Sequence, residues 1–222
     1  MKSITAVATD FDRIAAALEA EVRERRLTRA EQFLLRQVPP QAKTALDAGC
    51  GDGMLTRALA TRGIKTLGVD VSPGMVALAR RRSGENSFIE YRLADIMSCD
   101  ALGQFDVVIS VSAVHHLPLV QVVPWLVRCI APGGTLLIQD VTTRPGLRGL
   151  PMNGLAWAVR RLDRLVGVAG HSREIRTLYD EHGRDENYLD ENEVEIAYCH
   201  LLPGARVYLH LEWRYTVAWQ RP

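Results

Sequence analysis

Residues 44–53 read Thr44-Ala45-Leu46-Asp47-Ala48-Gly49-Cys50-Gly51-Asp52-Gly53, and this stretch decides the fold. A short apolar strand ends on a carboxylate. A glycine-dense loop follows, and then the apolar run of a helix. Glycine is placed there when backbone must turn with positive φ or lie against a ligand. The carboxylate adds that whatever occupies the loop carries positive charge.

Outward from this stretch the pattern alternates. Strands are expected near 44–48, 65–70, 88–92, 105–111 and 135–140, with helices near 54–62, 73–82 and 118–130. Strands alternating with helices indicate an α/β fold, a doubly wound and mainly parallel sheet covered on both faces. Ser72 caps the helix after the second strand and Pro73 takes its first position. Pro132-Gly133-Gly134 is expected to make the turn into the fifth strand.

Upstream, Phe11, Ile14, Leu18 and Val22 recur at helical spacing. Thr28-x-x-Glu31 resembles a capping box opening a second helix, which Pro39-Pro40 stops. Downstream of Asp140 the alternation ends. Residues 141–187 read as a polar loop with one helix carrying Leu155, Val159, Leu162 and Val166. Residues 189–201 read as another helix. Ala205–Leu211 and Trp213–Trp219 alternate around a tight turn, as an antiparallel β-hairpin does. The expectation is a single domain over 1–222. Helices in 1–40 lie over the pocket, a ligand-binding core spans 44–140, a lid spans 141–187, and a helix with the hairpin closes the chain over 188–222.

The chain has 222 residues, 47% of them hydrophobic, which suits one sizeable core. With 27 basic and 26 acidic residues the net charge is +1, so no electrostatic footprint for a nucleic-acid partner is present. The run Arg80-Arg81-Arg82 closes a helix, where cations complement the dipole. Cys50, Cys99, Cys129 and Cys199 have neither zinc-ligand spacing nor a disulfide pattern, and no residue cluster suggests a metal site. Reduced thiols, a start without a secretory apolar core and the lack of a membrane-length apolar run give a cytoplasmic expectation. Oligomeric state is not readable.

A glycine loop after the first strand of a parallel sheet sits where such folds bind ligands. Two cofactor classes compete for it. A nicotinamide dinucleotide calls for G-x-G-x-x-G, whose third glycine would fall at Met54. Its pyrophosphate would also meet Asp47 with like charge. S-adenosylmethionine has no phosphate and carries an ammonium and a sulfonium, which the same carboxylate favours. Asp70, ending the second strand in Gly68-Val69-Asp70-Val71-Ser72, can accept from both ribose hydroxyls. Asp95, in Ala94-Asp95-Ile96, can accept from an adenine amino group, with Ile96 against the ring.

With those residues in place the chain resembles the class I S-adenosylmethionine-dependent methyltransferases, and within them the broad bacterial group that includes ubiquinone/menaquinone-type enzymes. The matching runs are 46–53, 68–75, Phe105-Asp106-Val107-Val108-Ile109-Ser110, His115-His116-Leu117, Leu126 through Gly134, and Leu202-Pro203-Gly204-Ala205 with Trp213-Arg214-Tyr215. The likeness is weakest over 141–187. It implies that Gly49 and Gly51 approach the methionine part, with Asp47 on its amino group and Cys50 as a small filler of the loop. It implies Asp70 on the ribose, Val71 and Met75 beside the nucleoside, and Ala94, Asp95 and Ile96 around the adenine. Ser110 and Ser112 are expected beneath the methionine part, and Phe11 resembles an aromatic that covers the cofactor. The product would be S-adenosylhomocysteine.

Methyl transfer from a sulfonium needs alignment and exclusion of water, and a hydroxyl acceptor also needs a base. His115 and His116 follow the fourth strand and are the candidates for that base. Phe11, Asp140, His171 and Tyr179 are candidates for facing substrate, with His182 beside them. An exposed loop position is the commoner one for His171, Tyr179 or His182, and strand-end packing or helix capping explains Asp140 equally well. His200 and His210 read as structural. Leu147, Leu150, Met152, Leu155 and Trp157 would make the lid apolar. The run Ser110-Val111-Ser112-Ala113 lacks the acceptor motif of nucleic-acid amino-methylating enzymes, and paired glutamates of arginine-methylating enzymes are missing. A small-molecule acceptor, methylated on O or N, is therefore expected. An enzyme acting on RNA or protein is the alternative, and an NAD(P)-dependent oxidoreductase a more distant one.

Overall fold

Glycine positions set the first turn of the fold. The structure, a computed structural model, describes residues 2–21, 24–97, 102–144, 150–165, 171–184, 186 and 188–222. Strand β1 (Thr44–Ala48) runs into the glycine loop, and α3 (Met54–Ala60) leaves it. Gly49 and Gly53 both have φ near +78°, at 78° and 77°. A Cβ on Gly49 would come within 2.5 Å of the Ala113 Cβ, and one on Gly53 would strike the Tyr91 hydroxyl. The loop is therefore closed to any side chain at these two points.

The order along the chain is α1 (Ile4–Ala20), α2 (Arg29–Arg36), β1, α3, β2 (Lys65–Asp70), α4 (Pro73–Ser83), β3 (Ile89–Leu93), β4 (Phe105–Val111), α5 (Leu119–Arg128) and β5 (Ile130–Val141). There follow α6 (Leu150–Leu165), α7 (Arg173–Gly183), α8 (Glu191–Leu201), β6 (Arg206–His210) and β7 (Arg214–Gln220). The strands form one sheet in the order β3-β2-β1-β4-β5-β7-β6. β1 to β5 are mutually parallel, while β7 runs antiparallel to both β5 and β6. This is the doubly wound, mainly parallel sheet with a closing hairpin that the alternation predicts.

Side-chain alternation along the central strands splits the core in two. Leu46, Val108, Leu136 and Ile138 face one side, with Trp125 and Leu126 of α5 and Tyr198 of α8. Ala45, Val107, Ile109 and Leu137 face the other, with Leu34 and Leu35 of α2 and Leu55 and Leu59 of α3. Both faces being covered, the strands read as continuous apolar runs.

The capping predictions are met. Ser72 accepts from the Met75 amide at 3.0 Å, with Pro73 at the first turn of α4. Thr28 and Glu31 form a complete capping box on α2. α1 buries Val7, Ile14, Ala15 and Leu18 on one face and packs on α4 and α7. Val22, expected in the same stripe, lies outside the described residues, as do Leu147 and Val166.

Three local differences stand out. Pro132-Gly133-Gly134 does not precede the fifth strand but lies within it. Phe105 pairs with Ile130 and Val107 with Thr135, so residues 131–134 bulge out of a strand that begins five residues early. Next, the described residues of 141–187 hold two helices where one was expected. α7 carries Ile175, Leu178, Tyr179 and His182 at helical spacing behind the capping Ser172, and too few of these are strongly apolar to announce a helix. Finally, α6 turns Met152 and Leu155 to solvent, so most of the described apolar residues of the expected lid do not face inward.

Candidate active site

The carboxyl ends of β1, β2 and β4 open into a cavity of about 890 Å³. Its volume is near the upper end of ordinary ligand pockets, roughly 300–1,000 Å³. The floor is the glycine loop, where Gly49, Cys50 and Gly51 reach the surface between Asp47 and Asp52. One wall carries Asp70, Val71 and Met75, and another Ala94, Asp95 and Ile96. Val111, Ser112 and Ala113 continue from β4, followed by His115 and His116. Phe11 of α1 and Tyr179 and His182 of α7 form the roof, with His171 just before α7 and Trp157 of α6 at its edge.

Asp47 is fully buried, and its Oδ2 accepts from the Thr56 hydroxyl at 2.6 Å. Burial pushes its carboxyl up to about 7, the charges of Asp70 and Asp52 adding to the effect against the Thr56 hydrogen bond. A carboxyl whose pKa is raised by burial, with only a neutral hydrogen-bond partner, favours a cationic ligand. Asp70 is pushed upward too, chiefly by burial. Its two oxygens accept from the backbone N–H groups of Gly51 (2.8 Å) and Ser72 (2.9 Å), so it holds the glycine loop in place. Each oxygen keeps a further lone pair for a ligand hydroxyl. The Cys50 thiol is pushed well up, by burial first and then by the neighbouring carboxylates, which keeps it protonated and unreactive.

Two of the expected site residues lie behind the cavity surface, not on it. The Ser110 hydroxyl is fully buried and donates to the Ala48 carbonyl at 2.8 Å, tying β4 to β1. Ser110 lies within β4, whereas Ser112 follows the end of the strand, where the chain turns at a φ of 54° and Ser112 reaches the cavity. Asp140 is also fully buried. Its carboxylate accepts from the His115 backbone N–H at 3.1 Å, and its Oδ1 lies 2.6 Å from His115 Nδ1. It acts on His115 rather than on a ligand.

The two adjacent histidines have different surroundings. His115 has Nδ1 engaged by Asp140 and its ring tilted on Tyr188 at 5.2 Å between centroids. His116 is buried, with its Nε2 3.3 Å from His182 Nε2 and its Nδ1 3.3 Å from Glu186 Oε1. Burial, joined by His115 and His182, pulls its pKa down to about 3, so its ring stays neutral. His182 in turn has Nδ1 2.9 Å from Asp10 Oδ2. Phe11 packs edge-on against both rings, 5.9 Å from His116 and 4.8 Å from His182.

Arg25, Glu31 and Arg214 were not anticipated as cavity residues. Arg25 makes a two-pronged ion pair with Glu31, at 2.7 and 2.6 Å, and Glu31 also receives the Thr28 amide. Against its own burial, that pairing holds the Glu31 carboxyl at about 2. Arg214 of β7 donates to the Ser112 hydroxyl at 2.7 Å, which steadies Ser112 at a φ of 54°. His171 has Nδ1 3.5 Å from Glu21 and its ring over Tyr179 at 5.5 Å. The Arg214–Ser112 and His171–Glu21 links join residues far apart in sequence. Only the Glu31 capping box could have been read beforehand.

Residues 46–138, from β1 into β5, match the family described as a methyltransferase domain. Over those residues the chain is similar to that family. Ubiquinone biosynthesis O-methyltransferase of Pseudomonas paraeruginosa is 35% identical to it over 107 residues, 46% of each chain. The like-named protein of Xanthomonas campestris is 29% identical over 138 residues, 60% of this chain and 57% of its own. The chain thus spans about half the length of the curated relatives it matches. A solved structure of magnesium protoporphyrin IX methyltransferase from Synechocystis, with S-adenosylhomocysteine bound, superimposes with a TM-score of 0.61. It is 16% identical and covers 99% of this chain and 100% of that one, a likeness of fold. The glycine loop, Asp70 and the two histidines lie inside the matched stretch. His171, Tyr179, His182 and Glu186 lie beyond it.

Proposed function

We propose that this chain transfers the methyl group of S-adenosylmethionine to a hydroxyl of a small molecule. The observation that carries the reading is Asp47: a buried carboxyl pushed up to about 7, with a neutral hydroxyl as its partner, at the edge of a glycine loop. A cationic amino group placed there restores the ionised carboxylate, and the phosphates of a dinucleotide would do the opposite. Asp70 then takes the ribose hydroxyls, Val71 and Met75 flank the nucleoside, and Ala94, Asp95 and Ile96 surround the adenine. Gly49 and Gly51 let backbone approach the methionine part, with Ser112 nearby.

The acceptor lies on the histidine side. With Nδ1 held by Asp140, His115 has Nε2 left to take the proton of an acceptor hydroxyl. The oxygen attacks the methyl carbon, the carbon–sulfur bond breaks, and sulfur leaves as a neutral thioether. Asp140 fixes the ring and stabilises the imidazolium that forms. His116, neutral and buried, is unsuited to that task. Phe11, His171 and Tyr179, on α1 and at α7, cover the reacting groups and exclude water.

The oxygen acceptor rests on the relatives named O-methyltransferases. The small size of the acceptor rests on the roofed cavity and on a net charge of +1. Among the described residues no helix is long and apolar enough to cross a membrane, and Cys50, Cys129 and Cys199 form no disulfide, which fits a cytoplasmic setting. The test is a labelled-methyl screen over phenols, amines and thiols with a tRNA control. Label transferred to a phenol or other hydroxyl compound supports the proposal. Label on tRNA, or on amines alone, contradicts it.

A further inference from the structure

His116, His182 and Glu186 come from two distant parts of the chain, yet one imidazole nitrogen from each histidine and a carboxylate oxygen lie within 4.8 Å of one another. All three residues are buried. We propose that they bind a divalent metal of the zinc type at the histidine end of the cavity, with a fourth position open to a water or an oxygen donor.

Four observations carry this. First, the donor set is two imidazoles and a carboxylate, a combination suited to Zn²⁺ with one position left open. Second, the two Nε2 atoms are 3.3 Å apart. Zn–N bonds of about 2.0–2.1 Å at tetrahedral angles separate two ligand nitrogens by about 3.3–3.4 Å. Third, Glu186 Oε1 is buried and makes no hydrogen bond, its near neighbour being His116 Nδ1 at 3.3 Å. Buried polar atoms are rarely left so, and a bound ion is one of the usual reasons. The donor atoms span up to 4.8 Å, so the carboxylate comes in by up to about 1.5 Å to join the nitrogens. Fourth, Asp10 Oδ2 lies 2.9 Å from His182 Nδ1, and Lys2 donates to both Asp10 and the His182 carbonyl at 2.8 Å. A carboxylate on the far nitrogen is the usual support of a metal-ligating histidine, since it directs Nε2 toward the ion.

His116 and His182 line the cavity, so the open position faces it. The ion would join the matched stretch, through His116, to α7 and the residue beyond it. The metal site stands without the methyl-transfer reading. Only the identity of the oxygen donor, an acceptor hydroxyl in place of water, rests on it.

The test uses the untagged full chain, stripped with chelator and titrated with Co²⁺ and then Zn²⁺. We expect a single equivalent of Co²⁺ to give the visible absorption of a tetrahedral site and Zn²⁺ to displace it. His182→Ala should abolish that spectrum. Asp10→Asn, which keeps all three ligands, should weaken Zn²⁺ binding by about 10- to 100-fold. Glu186→Gln should keep the circular dichroism of the parent while losing the site. Metal uptake that is absent from the parent chain, or equal in parent and His182→Ala, overturns the proposal.

Discussion

His115 Nδ1 and Asp140 Oδ1 lie 2.6 Å apart, with the carboxylate fully buried and the imidazole at the cavity surface. Despite its burial, Asp140 has its pKa lowered below the ordinary carboxylate range, through His115 and the Val141 amide. The pair is therefore a charged orienter behind a ring whose second nitrogen is left for the ligand. Once an acceptor is known, His115→Ala should lower kcat by about 10²- to 10⁴-fold, the usual weight of a general base. Asp140→Asn should also lower kcat while leaving KM for the acceptor nearly unchanged. Steady-state kinetics of both variants checks this, and full rates in both would remove the base from the mechanism.

Cofactor affinity should depend on pH through Asp47. In the free protein its carboxyl titrates at about 7. A bound cation favours the ionised form, so the pKa falls on binding. Affinity should then rise with pH, by up to about tenfold per unit below 7, and level off above it. Below pH 7 binding should release a proton. Calorimetry in buffers of different ionisation enthalpy measures that proton directly. Folding of the free protein has the opposite sign. A carboxyl raised from its unfolded value costs stability as pH climbs from about 4 to 7, so S-adenosylhomocysteine should raise Tm more at pH 8 than at pH 5.5.

Gly49→Ala should destabilise the chain and remove cofactor binding together. A left-handed backbone costs a non-glycine residue about 1–2 kcal/mol, and here the new methyl would also meet Ala113 at 2.5 Å. In a chain of this size the expected fall in Tm is roughly 5 °C or more. Gly63→Ala, at a φ of 76° with nothing within 4 Å of the new methyl, should show the smaller backbone cost alone. Thermal melts with and without S-adenosylhomocysteine separate the two.

Glu31→Gln should leave Arg25 without its ion-pair partner in a largely buried place. Breaking such a pair costs about 3–5 kcal/mol when fully buried, and Arg25 retains some exposure, so about 2–3 kcal/mol is expected. Because Glu31 is depressed to about 2, its contribution is present above the ordinary glutamate value and lost as pH falls toward 2. Acid titration of the parent and the variant should therefore converge at low pH.

Much of the fold was legible because its central strands are buried on both faces and their apolar runs stand out between glycine loops. Ser72, Pro73, Thr28 and Glu31 announce helix starts through local hydrogen bonds, which a sequence displays. The β5 bulge was hidden, since Pro132-Gly133-Gly134 reads identically as a turn or as an insertion in a strand. α7 was hidden because its buried face includes His182 and Tyr179, which count as polar until their partners are known. At the site, the glycine loop and the strand-end carboxylates were readable by position. The division of labour between His115 and His116 was not, because it is set by Asp140, His182 and Glu186, at 24 or more positions along the chain. The four-residue spacing of His182 and Glu186 was the one trace of that cluster in the sequence.

The central claim is that the glycine loop with Asp47 and Asp70 receives a cationic nucleoside rather than a dinucleotide phosphate. Calorimetry of the full chain with S-adenosylhomocysteine and with NADH tests it most directly. The account predicts saturable binding of S-adenosylhomocysteine, weakened by Asp47→Asn, and no comparable binding of NADH. Preferential binding of NADH, or binding of S-adenosylhomocysteine that Asp47→Asn leaves unchanged, would contradict it.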